Sequence, residues 1–166
     1  MSRILIMFFA LIVALPATAL VSAVTNNPLW PLQKDHWDAG DEDVYAQWIL
    51  DNATPDVLKG SELVFDCAET AMALRWIFSY QHGLPAAQTL SNGTLFGSWQ
   101  STKAWDQLPH GSTWQTDARF KAGLKFLLQN AYTHTLINDL YPVEIDRDYV
   151  RAGTIYLLLR LSLIHI

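Results

Sequence analysis

The stretch from Cys67 to Gln81, CAETAMALRWIFSYQ, constrains this chain more than any other. Ala71, Leu74 and Phe78 follow Cys67 at i+4, i+7 and i+11, while Met72, Trp76, Ile77 and Tyr80 cover much of the remaining circumference. A helix that is apolar nearly all round has no face to give to water, so it has to run through the middle of the molecule with other elements around it. Its limits are also written in the residues. Asp66 reads as the N-cap and Glu69, three residues on, as its capping-box partner. Gly83 follows the last periodic residue and Pro85 comes two later. Glycine accepts the left-handed conformation that ends a helix, and proline cannot continue one.

This boundary puts Cys67, the one cysteine of the chain, at the first helical position. Backbone N–H groups without intrahelical partners surround that position, and the positive end of the helix dipole favours a thiolate there. The competing reading of Cys67 is a small hydrophobe packed in the core. Export sharpens the choice. Arg3 precedes the apolar run Ile4 to Leu15, then come Pro16 and the small-x-small sites Ala17-Thr18-Ala19 and Val21-Ser22-Ala23. This is the outline of a signal peptide, residues 1–23, cleaved after Ala19 or Ala23, which sends the rest to a periplasmic or extracellular location. A membrane span needs about 20 apolar residues, so a membrane role is expected only if the segment is retained. In an exported chain a lone cysteine has no internal disulfide partner and is either inert or reactive.

Residues 24–160 suffice for one domain, with seven tryptophans supplying aromatic mass to its core. A net charge of −5 without a basic run excludes nucleic acid as an expected partner. No metal-ligand spacing, phosphate loop or glycine-rich cofactor motif occurs, so no cofactor is expected. The last six residues, Leu161-Ser162-Leu163-Ile164-His165-Ile166, match one reading frame of the transposon mosaic end used to fragment DNA for sequencing. They are therefore expected to be adapter-derived, with the natural chain interrupted near Arg160 and His165 carrying no functional meaning.

Around the central helix, Asp41-Glu42-Asp43 should cap a short helix through Leu50 that turns Val44, Trp48 and Tyr45 inward. Thr89 to Gly111, rich in Ser, Gly, Thr and Asn, reads as a long irregular loop. Thr116 should cap a helix from Asp117 to Ala131 with Phe120, Leu124, Leu127 and Ala131 as its stripe. Thr133–Ile137, Val143–Ile145 and Thr154–Leu159 look extended. Helices first and strands later is an α+β order.

The string Asp66-Cys67-Ala68 opening a buried helix, the exit Gly83-Leu84-Pro85 and the downstream Gly153-Thr154-Ile155-Tyr156-Leu157 resemble the papain-like hydrolases of the NlpC type. The exit Gly83 to Ala86 is also similar to the transglutaminase-like branch of that superfamily. The resemblance covers roughly residues 41–160 and departs from the pattern where Ala68-Glu69 replace Ser-Gly, where Thr154 replaces Asp, and where the transglutaminase Trp after the Cys is absent. It implies a Cys-bearing helix packed on an antiparallel sheet that is incomplete here. It also implies Cys67 as nucleophile toward an amide in a peptide or peptidoglycan-like substrate.

Such a nucleophile needs a histidine in hydrogen-bond reach and a group to orient it. His82 lies along the same helix, about 22 Å from Cys67 at about 1.5 Å per residue, and is excluded. His36 stands in a loop between Asp35 and Asp38. His110 and His134 remain as candidate bases, and Asp139 as a possible orienter or a plain turn residue. The family order puts the true histidine after the Thr154 strand, beyond Arg160, so this stretch alone is expected to be inactive. The alternative to an enzyme is an exported envelope-associated or binding domain in which Cys67 is packed.

Overall fold

A computed structural model describes residues 24–25, 27–158 and 162–165; the leader expected over 1–23 lies outside them. Among the described residues the class is α+β, with three α-helices and short antiparallel strand pairs. In chain order the elements are β1 (Val24–Thr25), α1 (Ala39–Asn52), α2 (Cys67–His82), β2 (Ala87–Thr89), β3 (Leu95–Gly97), β4 (Ser101–Thr102), α3 (Ala118–Asn130), β5 (Ile155–Leu158) and β6 (Ser162–His165). Strand β1 pairs with β4, β2 with β3 in the register Gln88 to Phe96, and β5 with β6 in the register Tyr156 to Ile164.

Helix α2 is the axis of the molecule. Nine of its residues are buried, among them Met72, Trp76, Ile77 and Phe78. Trp76 is the meeting point of the aromatic core. It lies edge-on to Trp30 at 5.5 Å between ring centroids and stacks on Phe96 at 5.5 Å. Phe120 at the start of α3 closes on Trp30 and Tyr80. The whole expected stripe of α3, Phe120, Leu124, Leu127 and Ala131, is buried. A second, smaller cluster forms where Tyr45 and Ile49 of α1 meet Leu74 and Phe78 of α2.

The exit from α2 is fixed as its residues foretell. Gly83 takes φ 61°, in the left-handed region, and the N–H groups of Gly83 and Leu84 both return to the Ser79 carbonyl. The segment ahead of α1, residues 27–38, then closes over this exit. The Trp30 indole donates to the Leu84 carbonyl at 3.1 Å, and that of Trp37 to the Pro85 carbonyl at 2.7 Å. Arg75 holds α1 to α2: it grips Glu42 through two bonds of 2.8 and 2.5 Å while Trp37 lies under its guanidinium at 3.2 Å.

Several local expectations change. Helix α1 begins at Ala39 because Asp38, not Asp41-Glu42-Asp43, is its cap, with Asp41 completing the capping box. It buries Tyr45 and Ile49, while Val44 faces water. Asp117, rather than Thr116, caps α3. The expected irregular loop 89–111 carries β3, β4 and a 3-10 turn at Trp105–Gln107, since Phe96 and Ser101 have core or strand partners to pair against. These strands lie between α2 and α3, so helices do not all precede strands. The segment expected to be extended at 133–137 is a turn leading into a 3-10 turn at Leu136–Asn138, and 143–145 has no regular structure.

Candidate active site

The N-terminus of α2 has the geometry that its capping residues dictate. The Asp66 carboxylate accepts from the Glu69 N–H at 2.8 Å, and the Glu69 carboxylate accepts from the Asp66 N–H at 2.8 Å. Two end groups of the helix are thereby satisfied from the side, worth about 1 kcal/mol for the cap alone. Thr70 adds a hydroxyl bond to the Asp66 carbonyl at 2.7 Å. With the caps reaching round the first turn, Cys67 takes the first helical position and its side chain is exposed. The reading of Cys67 as a packed core residue is therefore corrected. The next residue, Ala68, is fully buried, so the sulfur stands where a core helix breaks surface.

The histidines fall in different places. His36 is exposed and bonds Asp35 through Nδ1 at 2.5 Å. His82 closes the last turn of α2, stacked on Phe78 with centroids 4.1 Å apart, consistent with a helix-ending role. His134 is exposed beyond the C-terminus of α3, its ring lying parallel to that of Tyr132 at 5.8 Å, in a turn rather than the extended stretch expected of it.

His110 belongs to the opposite end of α2. Its Nδ1 meets the Asp117 carboxylate at 2.9 Å, and the Tyr80 hydroxyl donates to the same oxygen at 3.1 Å. Tyr80 lies thirteen residues beyond Cys67, about 20 Å along the axis and more than a third of a turn round the helix. His110 is thus tied to the far end of α2, away from the sulfur, and the structure does not bring these two candidates together. Burial, with the Asp117 charge next to it, pushes the Tyr80 phenol up to about 12, so it remains a donor.

Asp139, considered as an orienter of histidine, has another task. It accepts from the Thr89 N–H at 2.9 Å, the Thr89 hydroxyl at 2.6 Å and the Gln88 amide at 3.3 Å, pinning β2 to the turn after α3. The partnership of Asp117 with His110 and Tyr80 had no signal in the sequence, because a loop histidine and a helix cap seven residues apart form no periodic pattern. Among the described residues no group of three or more His, Cys, Asp or Glu is arranged to hold a metal, and no helix is long and apolar enough to cross a membrane. Compared against protein-family models, curated proteins and solved structures, the chain matches none.

Proposed function

We propose that this protein is an exported cysteine hydrolase of papain-like architecture, with Cys67 attacking an amide carbonyl in a cell-wall peptide or a protein side chain. One observation carries the reading: an exposed sulfur at the first position of a doubly capped helix whose next residue is already core. Strand β5 adds support, since Ile155 and Leu157 pack against the core cluster that α2 anchors.

In this reading the Cys67 sulfur adds to the carbonyl carbon, and the Cys67 N–H at the helix start serves as one donor to the developing oxyanion. The C–N bond then breaks, the amine leaves with a proton from a histidinium, and a thioester remains on Sγ. Water, or an amine in a transfer reaction, takes the acyl group and frees the thiol. The family order keeps the histidine beyond the β5 strand, with His134 as the remaining candidate within the described residues.

The test uses the full chain acting on cell-wall peptides. Cys67→Ala should abolish amide cleavage while leaving the thermal midpoint in place. Equal cleavage by the variant would remove the proposal. The competing reading, an envelope-associated binding domain, would be favoured by tight retention of the same peptides with no turnover by either protein.

A further inference from the structure

Asp117 is more than a helix cap. One of its oxygens accepts from the Phe120 N–H at 2.8 Å, which is all that capping α3 requires. The other takes both His110 and Tyr80, although the carboxylate is only 1 % exposed. A buried carboxylate is costly unless hydrogen-bonded, and here its bonds fix an imidazole that is itself 44 % exposed. The Tyr80 hydroxyl also approaches the Gly111 carbonyl at 3.2 Å, so the loop carrying His110 is held from both sides.

An imidazole bonded to a carboxylate through Nδ1 keeps its proton on that nitrogen and turns the lone pair of Nε2 the other way. His110 and Asp117 both line a cleft of about 580 Å³ between the end of α2, residues 30–33 and the 110–117 loop. Gln33, Gln81, Ser112 and Thr113 stand on its walls, and no Lys or Arg lines it. A cleft without a cation and with a buried carboxylate at its base suits an uncharged guest over an anion.

We propose that His110 is a second acyl-transfer centre, independent of Cys67, acting on small neutral esters that enter this cleft. Nε2 adds to the ester carbonyl carbon and the carbon–oxygen bond to the alcohol breaks, the alcohol oxygen leaving with the electron pair. The product is an Nε2-acyl imidazolium that keeps its Nδ1 proton, and Asp117 faces its positive charge. Water then attacks the acyl carbon, the carboxylic acid departs, one proton passes to solvent, and the neutral imidazole returns.

His36 supplies an internal control. It too is bonded to a carboxylate, Asp35, but both side chains stand in open solvent, 77 % and 94 % exposed. Ester chemistry set only by exposure would favour His36; chemistry set by a buried orienting carboxylate favours His110.

The experiment follows p-nitrophenolate release from p-nitrophenyl acetate in the Cys67→Ala protein, so the thiol plays no part. Saturable release, at least tenfold above equimolar free imidazole and lost in Cys67→Ala/His110→Gln but kept in Cys67→Ala/His36→Gln, is the expected result. Release that survives His110→Gln, or that never exceeds free imidazole, overturns the proposal. A second measurement needs no variant at position 110: carbethoxylation by diethyl pyrocarbonate, mapped by peptide mass, should modify His110 before His36. The reverse order would also overturn it. Because the thiol is absent throughout, neither result depends on whether Cys67 is a nucleophile.

Discussion

Two residues show how differently packing and backbone conformation constrain this chain. Trp76 is fully buried in the aromatic core, and its indole N–H has no hydrogen-bond partner among the described residues. Trp76→Ala is expected to cost about 3–5 kcal/mol, the range for emptying a large aromatic site. Trp76→Phe should cost much less, because it keeps a ring against Trp30 and Phe96 and removes a buried donor. Urea unfolding of both variants checks the ranking, and equal losses would contradict it. At Gly83 the constraint is backbone: φ is 61°, and an added Cβ would sit 2.6 Å from Cγ of Gln33. Gly83→Ala should lower stability by about 1 kcal/mol or more, and trimming Gln33 to Ala in the same protein should recover part of that loss. Both residues were legible in the sequence, one from helical periodicity and the other from the Gly-x-Pro stop. The pairing of Asp117 with His110 was not, since it depends on how a loop folds back on a helix.

At the scale of elements, the start of α1 and the pair Tyr45 and Tyr80 each predict a pH dependence. The Asp38 cap is held below its ordinary value of 3.8 by the Lys34 ammonium and then by the Asp41 N–H. Its folded value is depressed, so the stability it adds is present above about 3.8 and is lost as pH falls through the folded value. Lys34 is raised above its ordinary 10.5 by Asp41 and then Asp38, so its contribution is present below 10.5 and lost as pH rises past the folded value. Amide exchange of the first turn of α1 should therefore be protected most between these limits and loosen outside them. Tyr45 and Tyr80 are both pushed from 10.0 up to about 12, chiefly by burial. Raised folded values mean stability that is intact below 10 and falls as pH climbs toward 12. Phenolate absorbance rising together with loss of helix in that window is the expected outcome; ionisation of both phenols near 10 with the fold intact would contradict it.

The start of α1 also shows why element boundaries were harder to read than element identities. The acidic run Asp41-Glu42-Asp43 reads as the cap from sequence, yet Asp38 stands three residues ahead of it. Asp38 takes the role with an extended backbone and a reciprocal pair of bonds to Asp41, next to Trp37, whose indole is bonded to the Pro85 carbonyl. The short strands in 89–111 escaped because they are two or three residues long, and β4 is defined by a partner, β1, distant in the chain.

For the molecule as a whole, the α+β class, the central helix and the position of Cys67 follow from patterning, whereas where each histidine stands relative to Cys67 depends on packing that no local pattern encodes. The proposed function requires an activated thiol at the start of α2, which the iodoacetamide alkylation rate of Cys67 at neutral pH, in the native protein and after urea unfolding, measures. Alkylation several-fold faster in the native state is the result this account predicts. A native rate equal to or below that of the unfolded chain would contradict it, leaving Cys67 an exposed but ordinary side chain.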